Sequence, residues 1–438
     1  MSVCFAVREV TATDANGAVT TWSSSVAGAN KPQNTRPLAI FPAKESVELL
    51  EEFVPIVEAE VKDIEREGVM VGVGRNETEA RCNKCSMSMI DGKMVTNLLN
   101  CGGSYCTMCV KSQDECQKLE TIQAGFVIER DLESIRDLAL SLTDEETGDV
   151  IRKKGDYSTR TGVCGLPLTE TDLTKSIPVC HSKIRVFEWI TDLVVRNRSH
   201  NKWSTATNSV RYTAEEKENY KVTREEVKEE IYNNLAINIG NLGDMVTGRA
   251  FQKFSCDPAR AFYVSLVDEN QRADFDLILL GLSATVKVIN SQKQRVNTEK
   301  LRELTQEVYL RIVKCFPWAA VSPSVHRVLA HSWQVIRLSD GFGLGDLSEE
   351  GLEALNKQIR DMRAHGSRKD STEHNFEDTF NHLWDRSRPT IVEMEREIKR
   401  RKPKVIISTE IEIMVQSLFL EDQIRDVKYM HLWFQSSE

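Results

Sequence analysis

The sequence predicts an α+β fold, with short strands gathered near its start and helices through most of the remainder. Three observations carry this reading. The first ninety residues run in short alternating apolar and polar stretches around a single helix. After Cys109 apolar residues recur at helical spacing, segment after segment. No internal repeat and no long low-complexity linker interrupts the pattern.

Taken in order, "VCFAVREVTA", a "DANG" turn and "VTTWSS" predict a hairpin within residues 1–45. "RPLAIFPA" at 36–43 is a further short strand. "SVELLEEFVPIVEAEVKDIEREG" at 46–68 starts on a Ser cap, keeps helical spacing and ends at Gly68, so it is a helix. "VMVGVG" at 69–74 predicts a strand, with the acidic "RNETEAR" as the turn after it. Beyond Cys109 the expected helices are "LESIRDLALSL", 181–199, an exposed one within 205–230, 273–290, 298–316, 322–338, 347–369, 375–385 and 391–402. "KGDYSTRTGVCGLPLTE" and 240–260 are irregular, and the last thirty or so residues form an appended element.

With 438 residues, 40% of them hydrophobic and 28% charged, the chain is long enough for two or three folded domains. No stretch approaches the roughly 20 apolar residues that a membrane span needs. "MSVCFAVREVTATDANG" lacks the basic and apolar regions of a secretory signal. Eleven cysteines, an odd number scattered over a long chain, do not make a disulfide framework and fit a reducing compartment. The net charge of −9 lacks the basic surplus of a typical nucleic-acid binder, although a basic face can coexist with an acidic total.

The densest chemistry lies in "CNKCSMSMIDGKMVTNLLNCGGSYCTMC", residues 82–109. Cys82/Cys85 and Cys106/Cys109 form two C-x2-C pairs at the spacing of a four-cysteine zinc ribbon. "HRVLAH" offers a competing pair, since His326 and His331 lie within the H-x3–5-H range of zinc sites. Two cysteines and these two histidines make a Cys2His2 set that bolts together segments more than two hundred residues apart. Spacing alone does not choose between the two pairings.

Two carboxylates stand out as well. Asp91 sits in "MIDGKM", either a plain Asp-Gly turn or a metal-binding carboxylate at a strand end. In "LSEEGLEALNK" the early acids suit a helix N-terminus, yet Glu353, Asn356 and Arg360 share one face at i, i+3, i+7. Such a face can bind a phosphate chain while the carboxylate holds Mg2+.

The segment from "PWAAVSPSVHRVLAHSWQVIRLSDGFGLGDLSEEGLEALNKQIRDMRAHGSRK" to "RPTI" (317–391) closely resembles the C-terminal catalytic segment of Transib transposases. Their relative is the catalytic subunit of the recombination-activating (RAG) recombinase. "MIDGKMVTNLLNCGGSYCTMC" (89–109) resembles the family's middle catalytic segment, and "HSKIRVFEWITDLVVRNRSHNKW" (181–203) its "HARIRFFE…KKW" helix. "TGRAFQKF" (247–254) is similar to its "TGNxARRFF" segment, without the Arg-Arg pair. The resemblance runs colinearly to about residue 391.

This resemblance implies a partial RNase H-like (DDE) catalytic core split by a large, mainly helical, zinc-containing insertion. The implied parts are 1–100 as the core's N-terminal portion, 101–335 as the insertion, 336–391 as the C-terminal catalytic helical segment, and 392–438 as a tail atypical of the family. Asp91 and Glu353 fall on two of the three carboxylates that hold catalytic Mg2+ or Mn2+. Cys106, Cys109, His326 and His331 fall on the structural zinc ligands. The implied reaction is two-metal strand nicking followed by transesterification to a hairpin. DNA is the implied partner, at transposon ends or signal-sequence-like sites, contacted by Lys93, Asn356, Lys357, Arg360, Arg363, Arg368 and Lys369. Nuclear localisation, a homodimer and an accessory second subunit complete the expectation.

The family's first catalytic Asp lies in an "SCDG"-like stretch just before the strand that "CFAVREV" matches, and Asp14 in "DANG" does not replace it. The chain by itself is therefore expected not to cleave DNA. A catalytically inactive, domesticated DNA- or chromatin-binding protein of the same fold is the alternative. "KRRKPK" at 399–404 suits a surface charge run or a nuclear-import signal as well as a DNA contact.

Overall fold

In the computed structural model the described residues are 2–6, 9–13, 19–23, 35–40, parts of 51–59, 69–73, 76–81, 98–99, 101, 106–112, 114–142, 162–169, 172–199, 213–237, 239, 255–292, 294–348, 357–386 and 408–420. They are mostly helical with few strands, and the chain divides into two compact units.

The first unit comprises 1–100, 166–173 and 345–404 and holds all six described strands. β1 (Ser2–Ala6) pairs antiparallel with β4 (Thr35–Ile40). The register slips between Val3 and Cys4, where Cys4 meets Pro37, a residue with no N–H to give to the ladder. The second sheet has the order β3-β2-β6-β5. Its hairpin of β2 (Glu9–Thr13) and β3 (Val19–Ser23) is the one expected from "DANG". β5 (Val69–Val73) is also as expected, but "NETEAR" is not a turn. It is β6 (Asn76–Arg81), paired on one side with β5 from Val69↔Ala80 to Val73↔Asn76 and on the other with β2. Its polar composition argues for a loop, and ladder pairing on both sides overrides that local preference. A helical segment over 357–366 ends in a π turn, Met362–Gly366, and leads to a longer helix, Thr372–Arg386.

The second unit comprises 101–165, 174–344 and 405–438 and is built from helices. These are α1 (Leu119–Ala124), α2 (Leu132–Ser141), α3 (Val179–Arg198), α4 (Ala214–Leu235), α5 (Asp257–Ser265), α6 (Arg272–Ile289) and α7 (Thr298–Cys315). They are followed by α8, which runs Pro323–His326, then a π turn Arg327–His331, then Ser332–Leu338, and by α10 (Thr409–Ser417), with the Thr372–Arg386 helix of the first unit as α9.

α6 is the spine of this unit. "FDLILLGLSATVKVI" is apolar almost all round, so the helix is buried on nearly every side, from Phe275 through Ile289. Each fully buried Phe, Leu or Ile contributes about 1.5–3 kcal/mol. Gly281 lets α7 come close, because a Cβ there would overlap Cγ2 of Val308. Sequence-local caps set the helix starts. Asn297 Oδ1 accepts from Lys300 N at 3.1 Å, and Asp131 with Ser134 and Thr213 with Glu216 form capping boxes. α3 buries thirteen side chains and fixes the entry to α8 through Trp189 Nε1, which donates to Ala320 O at 2.8 Å. The described part of the tail also belongs here. α10 packs on α6, and Leu418 O accepts from Asn297 N at 2.7 Å. Among the described residues no helix is long and apolar enough to cross a membrane.

Candidate metal centre

Cys106, Cys109, His326 and His331 meet inside the second unit, all buried, with one ligand atom from each lying within 4.8 Å of the others. Two local structures produce this.

The first is a tight turn over 106–111. Cys106 N donates to Lys111 O at 3.1 Å and Val110 N to Cys106 O at 3.3 Å. Met108 N donates to Cys106 Sγ at 3.4 Å, so a backbone amide already faces the sulfur as it would a thiolate. Closing the turn puts Val110 at φ 62, a left-handed conformation that a β-branched side chain rarely adopts. The turn is fastened from behind by Glu129 N and Arg130 N, which both donate to Met108 O, at 2.9 and 3.1 Å.

The second is α8. His326 and His331 are five residues apart, and at 3.6 residues per turn an α-helix would leave them about 140° apart around its axis. The π turn Arg327–His331 widens the helix at that point and restores both rings to one face, with centroids 5.2 Å apart. Such bulges are rare and concentrate at functional sites.

Each imidazole is held through Nδ1, leaving Nε2 for the centre. His326 Nδ1 lies 2.9 Å from the Tyr309 hydroxyl, and His331 Nδ1 lies 2.8 Å from Gln334 Oε1. This orientation through the second nitrogen is the arrangement of metal-ligating histidines. His326 Nε2 lies 3.4 Å from Cys109 Sγ. His331 Nε2 is buried without a hydrogen-bond partner, which fits a nitrogen that ligates a metal. Phe126 closes the wall, edge-on to His326 at 4.8 Å and stacked on Tyr309 at 5.6 Å.

The electrostatics suit a cation. The neighbouring Cys109 thiol holds Cys106 well below the ordinary thiol range, with both imidazoles adding to the effect, while Cys106 in turn drives Cys109 up. Burial pushes His326 down, but hydrogen bonds and charge from the Cys106 and Cys116 sulfurs outweigh it and lift it to about 9. Four nitrogen and sulfur donors at this separation fit a tetrahedral ion such as zinc, and with four protein ligands the coordination is closed, as in structural sites.

One residue at the centre is missing from the sequence reading. Cys116 stands in a short 3-10 turn, Glu115–Gln117, set by Ser112, whose N and Oγ both donate to Glu115 Oε2 at 2.8 and 2.7 Å. Its sulfur lies 3.8 Å from His326 Nε2. The six residues separating Cys109 from Cys116 are longer than the short C-x2–4-C pairs that signal a metal site.

The other expected residues fall elsewhere. Asp91, Lys93, Glu353 and Asn356 lie outside the described residues, as do Cys82, Cys85, Asp14, the 391–402 helix, "TGRAFQKF" at 247–254 except for its surroundings after 254, and "KRRKPK". Lys357, Arg360, Arg363, Arg368 and Lys369 are described and exposed, in the first unit. Arg360, Arg363 and Lys369 line an open cleft of about 640 Å³ together with Asn375. Arg363 lies over the Phe376 ring at 4.3 Å and donates from Nε to Asn375 Oδ1 at 3.1 Å. Arg368 is turned to Asp378 at 2.7 Å and Glu377 at 3.1 Å, so its charge is already matched within the protein.

Compared with protein-family models and with curated proteins, the chain matches none of either.

Proposed function

We propose that the chain is the catalytic-core segment of a DNA transposase or recombinase of the Transib/RAG kind, with zinc as its structural metal. The observation that supports this reading best is the meeting of Cys106 and Cys109 with His326 and His331. It joins the two segments whose resemblance to that family is most specific, and spacing alone left the pairing open.

In this reading the zinc centre holds the helical unit together, because a site built from residues 217 apart converts binding energy into folding energy. Asp91 and Glu353 would hold the Mg2+ or Mn2+ ions of an RNase H-like core. Those ions supply the polarisation of the phosphodiester and the activation of its attacking hydroxyl. DNA phosphates would lie against the cleft of Arg360, Arg363 and Lys369, and Lys93, Asn356, Lys357 and Arg368 are further DNA contacts in the same proposal. A nuclear site of action, a homodimer and an accessory subunit belong to the same proposal.

The test has two arms. Metal analysis of the purified chain is expected to find one zinc per chain, lost on Cys109→Ala. Duplex DNA binding, followed against salt, is expected to weaken in the Arg360→Ala/Lys369→Ala variant, with a salt slope shallower by about 2. Absence of stoichiometric zinc, or DNA binding indifferent to that variant, would refute the reading.

A further inference from the structure

We propose that Cys116 is a reserve ligand of the metal centre, a thiolate that takes the ion when His331 releases it. The inference rests on the metal-binding reading of this centre and adds a residue to it.

Zinc–sulfur bonds of about 2.3 Å and zinc–nitrogen bonds of about 2.0–2.1 Å at a tetrahedral angle set sulfur and nitrogen ligands about 3.6 Å apart. His326 Nε2 has two sulfurs near that distance, Cys109 at 3.4 Å and Cys116 at 3.8 Å. Only the first is needed by the Cys2His2 group. Cys116 is 4% exposed and touches both Cys109 and the Tyr309 hydroxyl. His326 and Cys109 are thus common to two overlapping sets, one completed by Cys106 and His331, the other by Cys106 and Cys116.

His331 is the ligand best suited to leave. It ends the π turn, and its place on the face shared with His326 depends on that turn. If that turn relaxed to an α-helix, His331 would rotate off the face it shares with His326. A small displacement of the ion toward Cys116 would then exchange one nitrogen for one sulfur and keep four ligands. An inert core thiol predicts none of this, because such a residue needs no position opposite an imidazole nitrogen.

The experiment uses the full chain and cobalt(II) in place of zinc, which reports its ligands by absorption. His331→Ala is expected to keep one tetrahedral cobalt, with the near-ultraviolet thiolate-to-metal band raised about 1.5-fold as two thiolates become three. His331→Ala/Cys116→Ser is expected to lose the tetrahedral spectrum. If His331→Ala binds cobalt with a two-thiolate band, or if the double variant matches it, Cys116 is not a ligand. A wild-type chain that binds no cobalt, or binds it equally after Cys109→Ala, would instead remove the metal centre itself. Should His331→Ala not fold, zinc release to a chelator decides the matter in the otherwise native chain. Cys116→Ser is expected to speed release several-fold, and an unchanged rate overturns the proposal.

Discussion

His326 and His331 share a face of α8 only because one π turn lies between them, which brings ring centroids five residues apart in sequence to 5.2 Å. Their Nδ1 atoms are then occupied by Tyr309 and Gln334. Removing either partner frees a ring to rotate or change tautomer without touching a ligand. Tyr309→Phe and Gln334→Leu are each expected to weaken zinc binding by about 10–100-fold. Competition against a chromogenic chelator measures this, and unaltered affinity in both variants would show that the rings are positioned by packing alone.

Val110 pays a conformational cost to close the cysteine turn. A non-glycine residue held in that region costs about 1–3 kcal/mol, and Asn tolerates it better than any β-branched side chain. Val110→Asn is therefore expected to stabilise the metal-loaded protein by about 1 kcal/mol in chemical denaturation. A loss of stability would mean that packing of the half-buried Val110 side chain outweighs the strain.

The contact between α6 and α7 depends on the missing side chain at Gly281. Gly281→Ala forces Val308 aside, and overpacking of this kind costs about 1–3 kcal/mol. The additional change Val308→Ala is expected to recover part of that loss. If Gly281→Ala raises the melting temperature instead, helix propensity dominates and the helices separate easily.

In the first unit, Arg368 holds the Asp378 carboxyl down at about 2, against about 3.9 for an unfolded chain. A depressed carboxyl stabilises the folded state above the unfolded value, and the contribution disappears as pH falls through the folded value. The stability difference between the native chain and Asp378→Asn is expected to be constant above about pH 5, to shrink as the pH falls from about 4 to about 2, and to vanish near 1. A difference that does not shrink between about pH 5 and 2 would exclude this ion pair as its source.

The helices of the second unit are legible because their apolar residues recur at the right period, and α6 declares itself by an unbroken apolar run. β6 is not legible, since "NETEAR" carries the composition of a loop and becomes a strand only through partners on both sides. At the metal centre, spacing names Cys106, Cys109, His326 and His331 but cannot choose them over Cys82 and Cys85, and the resemblance makes that choice. The π turn has no signal in the sequence; a five-residue spacing argues against a shared α-helical face. Cys116 is hidden because its approach to His326 arises from the fold of the intervening loop rather than from a repeat of short spacing.

The 217 residues between Cys109 and His326 also separate them in time. At about 5–20 residues per second, synthesis delivers the two cysteines roughly 10–40 s before the histidines. For that interval the nascent chain carries a cluster of three neighbouring thiols and no imidazole partner for it. In the metal-binding reading, the centre can close only after α8 has left the ribosome.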